Sequence, residues 1–217
     1  MNVEVERTNM ITQQLRTGHV LDEQILTLFN EIPRHNFVPN HLQHFAYSDM
    51  QIELPHQQRM MTPLEEALLL QALKLSGSET VLEVGTGSGF LTALLSRLSK
   101  KVVSVDYFQD LTLSATNHLR QHECNHVELF TGDACQGWFD QAPYDVIVLT
   151  GAVDAITETH KLQVLPGGKL FAIVGKSPIM QGQLHRLSHD NTWSVDVVFE
   201  TCLPPLIDPL KRTDFIF

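Results

Sequence analysis

No cluster of lysine or arginine occurs in this 217-residue sequence, where 15 basic residues stand against 25 acidic ones for a formal charge of −10. Tight binding to nucleic-acid phosphates or to an anionic membrane needs concentrated positive charge, so neither partner is expected, and the acidic surplus serves chiefly solubility. Cysteine is scarce as well. Cys124, Cys135 and Cys202 lie far apart with no C-x-x-C pair, which argues against a disulfide framework and for reduced thiols in an intracellular protein. No apolar run approaches the ~18 residues of a membrane helix, and residues 1–7 lack the basic-then-apolar order of a signal peptide, so the cytoplasm is the expected location. Internal repeats and low-complexity tracts are missing too. His118, His122 and His126 are spaced by four, but no acidic or cysteine partner joins them, and no metal is expected.

What the sequence does contain is organised around Val81-Leu82-Glu83-Val84-Gly85-Thr86-Gly87-Ser88-Gly89-Phe90. Apolar β-formers lead into glycine at every second position, and Leu91, Ala93, Leu94 and Leu95 then read as a helix. This is the strand, loop and helix that open a doubly wound α/β domain. A dinucleotide fingerprint would read G-x-G-x-x-G, with the pyrophosphate on the helix N-terminus; here Phe90 takes the sixth place, which favours a nucleotide-like ligand without a pyrophosphate. S-adenosylmethionine fits. Glu83 is placed to face its ammonium, and Asp106, closing the next predicted strand, to accept both ribose hydroxyls.

The first third is helical. Met10, Ile11, Gln14 and Leu15 form one amphipathic segment, and after Gly18 and the cap candidate Asp22 the residues Ile25 to Ile32 form a second, ended by Pro33. Two proline-bounded loops follow, the second being Leu54-Pro55-His56-Gln57-Gln58-Arg59-Met60-Met61-Thr62-Pro63, a good place for a substrate wall. Residues 1–63 are thus expected to pack as helices and loops on an S-adenosylmethionine-binding α/β domain at 64–217, in one compact domain overall. Within it a helix covers 64–75, strands are predicted at 80–84, 101–106, 126–130, 145–150 and 168–174, and helix-compatible stretches such as 111–121 separate them. Gly167-Gly168 marks the turn into the fifth strand. Residues 183–189 and 193–199, joined by Asp190-Asn191, form a hairpin and hence an antiparallel edge. The fold class is therefore α/β, a Rossmann-like, mostly parallel sheet with an N-terminal helical cover.

In such a sheet the ligand lies beyond the carboxyl ends of the strands. Those ends carry Glu83 with the loop Gly85, Thr86, Gly87, Ser88 and Gly89; Asp106 with Tyr107; Gly132, Asp133 and Ala134; and Thr150 with Gly151 and Ala152. Asp133 suits the adenine amino group, and Tyr107 or Phe108 a ring face.

The run Pro33-Arg34-x-x-Phe37-Val38-Pro39, then Ala46-Tyr47-x-Asp49, the glycine loop, Gly132-Asp133-x-x-x-Gly137-Trp138, Ala142-Pro143-Tyr144-Asp145 and Gly167-Gly168 resembles the protein-L-isoaspartate O-methyltransferase family, collinearly from the second helix to the edge strands. The resemblance implies a class I S-adenosylmethionine-dependent methyltransferase that esterifies isoaspartyl carboxylates of damaged proteins and leaves S-adenosylhomocysteine. One segment departs from the family pattern. Where the family loop reads approximately G-x-G-Q-T-I-S, this chain has residues 55–61, so Arg59 and Met61 replace hydroxyl side chains and Pro55 replaces a glycine. Met61 cannot donate a hydrogen bond; Thr62, by a one-residue shift, or Arg59, by a bidentate clamp, is the candidate replacement. Around Phe199 to Ile207 the chain also departs from the family's short apolar wall. Two other readings follow: a same-fold methyltransferase with another, small acceptor, and a cofactor-binding protein without isoaspartyl activity. His56 beside the loop is the histidine placed to orient a carboxylate, and Cys135 is assigned to packing.

Overall fold

The structure, a computed structural model, describes residues 2–209. The C-terminal end of the segment expected to run to residue 217 therefore lies outside the described residues. Nine strands and six α-helices are present among the described residues. The largest sheet is built from β3 (Thr80–Val84), β4 (Lys101–Asp106), β5 (Val127–Thr131), β6 (Tyr144–Val153), β7 (Val164–Lys176), β8 (Ile179–Leu187) and β9 (Trp193–Thr201), in the spatial order β5-β4-β3-β6-β7-β8-β9. The first five pair in parallel, and β8 and β9 add antiparallel to the edge.

Strand parity explains the apolar runs. Val81 and Val102 face one core cluster, Leu82 and Val103 the other, so both faces are buried and mostly apolar, and the buried polar residues Glu83 and Ser104 are hydrogen-bonded to each other. The first cluster is continuous with the N-terminal cover, including Leu15, Phe29 and Phe37. That cover comprises α1 (Val3–Asn9), which runs into a π-helical turn at Met10–Leu15, and α2 (Glu23–Glu31), whose first turn is capped by the Asp22 carboxylate accepting from Gln24 N and Ile25 N. Helices α3 (Pro63–Leu73), α4 (Phe90–Leu98), α5 (Gln109–Gln121) and the short α6 (Glu158–Lys161) complete the connections.

Strands 80–84 and 101–106 match the sequence prediction to the residue, and the third is shifted by one. Gly167-Gly168 is not the turn into the fifth strand but lies inside β7. The β6–β7 register jumps from Tyr144↔Val164 to Val146↔Lys169, and the glycines occupy this bulge, where Gly167 takes φ +84 and a Cβ on Gly168 would meet the Asp145 and Leu165 carbonyl oxygens at 2.7 Å. The hairpin exists and is longer than predicted, because β7 turns directly into β8. A two-stranded sheet, β1 (Ile52–Glu53) with β2 (Arg59–Met60), had no sequence signal; strands this short carry no periodicity.

Candidate active site

The order of the parallel strands reverses beside β3, with β4 on one side and β6 on the other. At that point the backbone of Gly85 takes φ +97 and its N–H donates to Val105 O at 2.8 Å, while a Cβ there would meet Thr150 Oγ1 at 2.2 Å. Glycine is thus required on both conformational and spatial grounds. The Thr150 hydroxyl, 2.7 Å from Gly85 O and 3.0 Å from Val84 O, ties β6 to the loop. Gly89, at φ +84, starts α4 and lets it approach α5, where an added Cβ would lie 3.0 Å from Ala115 Cβ.

Asp106 is buried. Its Oδ2 accepts from Gly87 N at 2.8 Å and its Oδ1 from Phe108 N at 2.9 Å, and burial pushes its pKa above the ordinary carboxylate value. It lines a cleft of about 640 Å³ with Gly85, Gly87, Tyr107, Phe108, Gly132, Ala134 and Thr150. These eight residues, all named from the sequence, therefore share one cavity, and Thr86 and Ser88 line a smaller one of about 320 Å³ that adjoins it through Gly85, Gly87 and Thr150.

Three of the predicted cofactor residues line neither cavity: Gly89, which starts α4, Glu83 and Asp133. Glu83 lines neither cavity; it is fully buried below the loop, its Oε2 accepting from Thr92 and Ser104 at 2.5 Å each and its Oε1 without a partner among the described residues. Burial pushes its pKa up to about 7. The strand-end position was legible, but not the parity that turns residue 83 to the helical face with Val81. Asp133 is exposed outside both linings, and its Oδ1 accepts from Cys135 N at 3.0 Å.

One cleft wall had no sequence signal toward the cofactor. After β9 the chain returns to β6, where Ala152 N donates to Pro204 O and Leu206 N to Ala152 O, each at 2.9 Å, and Pro204, Leu206 and Ile207 close the cleft.

A sequence profile described as Protein-L-isoaspartate(D-aspartate) O-methyltransferase (PCMT) matches residues 5–209. A Protein-L-isoaspartate O-methyltransferase of Pelotomaculum thermopropionicum is 33% identical over 202 residues, 93% of this chain and 88% of that protein. One of Methanoculleus marisnigri is 38% identical over 170 residues, 78% of this chain and 77% of that protein. The chain belongs to the protein-L-isoaspartate O-methyltransferase family. A solved structure of that name superimposes with a TM-score of 0.80 at 25% identity, covering 94% of this chain and 67% of the other. A second, a putative member from Plasmodium falciparum in complex with S-adenosyl-L-homocysteine, shares the fold with a TM-score of 0.74 at 16% identity, over 93% and 98% of the two chains. As a family member the protein is an S-adenosylmethionine-dependent methyltransferase. The cleft fits that cofactor: a carboxylate oriented by two backbone N–H groups lies beside a loop whose backbone must be bare of Cβ atoms.

The segment that departs from the family pattern forms the other side. His56 and Gln57 both take φ 59, so the loop keeps left-handed positions without glycine. Such residues cost of order 1 kcal/mol each and need external support. His56 provides it: its ring stacks on Phe108 at 3.9 Å and 6°, and Nε2 lies 2.9 Å from both Asp110 carboxylate oxygens. At the far end Arg34, buried, donates from Nε to Ala46 O at 3.0 Å, from Nη1 to Glu66 Oε2 at 2.7 Å and from Nη2 to Met61 O at 2.6 Å. The Pro33-Arg34 block thus clamps Met61 in place. Met61 is buried in the wall of the smaller cavity; Thr62 caps α3 in a capping box, its hydroxyl oxygen accepting from Glu65 N at 3.2 Å, and it lines neither cavity. Arg59 is exposed, 3.8 Å from Glu53, and lines the cleft, the smaller cavity and an open groove of about 1070 Å³ between the loop and the C-terminal segment.

Of the three histidines spaced by four, His118 and His122 pack around Phe37, with His118 Nδ1 3.0 Å from Ser88 O. Cys124, Cys135 and Cys202 form no disulfide, and no helix among the described residues is long and apolar enough to cross a membrane.

Proposed function

We propose that the protein methylates isoaspartyl carboxylates of damaged proteins and peptides, with Arg59 holding the carboxylate. The observation that carries this reading is that Arg59 lines all three spaces at once, the cofactor cleft, its side cavity and the open groove. Bound S-adenosylmethionine supplies a sulfonium-activated methyl group. Asp106 would take its ribose hydroxyls, Tyr107 and Phe108 with Gly132 and Ala134 would flank the adenine, and the loop from Gly85 to Gly89, with Thr150 behind it, would carry the remainder. Asp133 is retained as a rim acceptor for the adenine amino group.

A carboxylate with pKa near 4 is already ionised at neutral pH, so no general base is required. The chain has only to strip water from it and hold one oxygen in line with the methyl. Met60, Met61 and Leu54 supply the apolar wall, and the Arg59 guanidinium the bidentate grip. Arg59→Ala is expected to lower kcat/KM for an isoaspartyl peptide by about 10- to 100-fold, the worth of a charge-assisted pair, with base-labile methyl ester counted from labelled cofactor. No ester formed by the wild type would remove the proposal.

A second reading, another acceptor on the same scaffold, draws on Met61 occupying the family's hydroxyl position. It predicts that Arg59→Thr with Met61→Ser raises isoaspartyl turnover; unchanged, already high turnover excludes it. Binding of S-adenosylhomocysteine with no methylation of any carboxylate would leave a cofactor-binding protein. Disulfide-free cysteines and the acidic balance support a cytoplasmic place with no nucleic-acid partner.

A further inference from the structure

The smaller cavity is bounded by the glycine loop on one side and by Arg59, Met61 and Glu66 on the other. Glu66 is the one carboxylate among the described residues that line it. It is buried on α3, and its Oε2 accepts from the buried Arg34, whose other nitrogens serve the carbonyls of Ala46 and Met61. Glu83, also buried, acts on Glu66 as a second negative group and has one oxygen without a partner among the described residues. Arg34 thus engages the buried Glu66 through Oε2 alone, while Glu83 raises the cost of ionising it. Ionising Glu66 in a medium of low polarity is costly, and a cation arriving beside it in the cavity would offset that cost.

We propose that Glu66 binds the α-ammonium of the cofactor's amino-acid tail, so that the ligand itself supplies the balancing cation. This rests on the S-adenosylmethionine reading and moves to Glu66 the role expected of Glu83. Gly85, Gly87 and Thr150 line both cavities, so a ligand with its ribose at Asp106 reaches Glu66 by passing along the glycine loop. Glu83 is outside that path and is engaged by Thr92 and Ser104. Before ligand arrives, burial holds the Glu66 pKa up at about 8; Glu65 and Glu83 push the same way and Arg34 opposes them, while Arg59 shares the cavity. An arriving ammonium favours the carboxylate, so binding at neutral pH releases a proton from Glu66.

Calorimetry of the purified protein at pH 7, in two buffers of different ionisation enthalpy, tests this with S-adenosylhomocysteine and with 5′-methylthioadenosine, which keeps adenine, ribose and sulfur but lacks the amino-acid tail. The wild type is expected to release close to one proton with the first ligand and none with the second. Glu66→Gln, which keeps an oxygen for Arg34, is expected to weaken S-adenosylhomocysteine by about 10- to 100-fold and to leave methylthioadenosine within twofold. Equal proton release from the two ligands, or an equal loss of both in Glu66→Gln, overturns the assignment to Glu66. If Glu66→Gln does not fold, the wild-type proton count decides by itself. Failure of the wild type to bind either ligand overturns the cofactor reading and this inference with it.

Discussion

Asp106 has a structural role beside the ribose contact proposed for it. Its two oxygens already accept from Gly87 N and Phe108 N, which orients the carboxylate and fixes the glycine loop to the end of β4. Asp106→Ala should therefore weaken S-adenosylhomocysteine by at least 10-fold and also cost about 1–3 kcal/mol of stability, because two backbone donors lose their partner. Asp106→Asn, which keeps one acceptor oxygen, should recover part of the stability while affinity stays low. Calorimetry with urea unfolding separates the two effects, and a full return of affinity in Asp106→Asn would count against a charged ribose acceptor. Thr62 is the opposite case, a residue singled out as a hydroxyl donor that the fold uses as a helix cap. Thr62→Ala should cost about 1 kcal/mol and leave isoaspartyl kcat/KM per folded molecule unchanged; a fall in kcat/KM would restore its place in acceptor binding.

At the scale of elements, the decisive contact is between the β1–β2 loop and the start of α5. Of two left-handed residues, His56 and Gln57, the first stacks on Phe108 and hydrogen-bonds Asp110, so the loop is fastened to a residue that lines the cleft. Phe108 follows Tyr107 directly after Asp106, which couples the loop to the Asp106 carboxylate through two peptide units. His56→Ala should speed amide exchange or proteolysis in residues 54–60, and Asp110→Asn should produce much of the same change. A ring stack contributes about 0.5–1.5 kcal/mol and a solvent-screened surface contact less, so the loop should loosen while the sheet stays intact. In a double-mutant cycle the two changes should not add; additive effects would show that the contacts act separately.

For the whole molecule, buried titratable groups set the pH range of greatest stability. Glu66 and Glu83 have folded pKa values raised to about 8 and about 7. Their contribution is present in full below the unfolded carboxylate value of about 4.5 and is lost as the pH rises through those folded values. His35, His122, His160 and His185 work in the other direction: burial lowers their pKa values, so stability rises with pH until about 6.5, where the unfolded imidazoles have lost their protons. Urea midpoints should therefore fall between pH ~6.5 and ~8.5, and Glu83→Gln should flatten that fall; an undiminished slope in the variant would mean that Glu83 is ionised in the native state. Much of this architecture was legible in advance. Strands 80–84 and 101–106, the Asp22 cap, the antiparallel edge and the glycine loop follow from local patterns, since apolar periodicity, capping chemistry and backbone freedom are properties of neighbours in the chain. The family was legible for the same reason, its blocks being short and contiguous. What only the tertiary structure decided depends on residues far apart in sequence: that Glu83 turns away from the cleft while Glu66 lines its side cavity, that Arg34 closes on Met61 across the cover, and that Leu206 comes back to wall the cleft. Charge balance and cavity shape arise where separate elements meet, and no local pattern records which side chains will share that space.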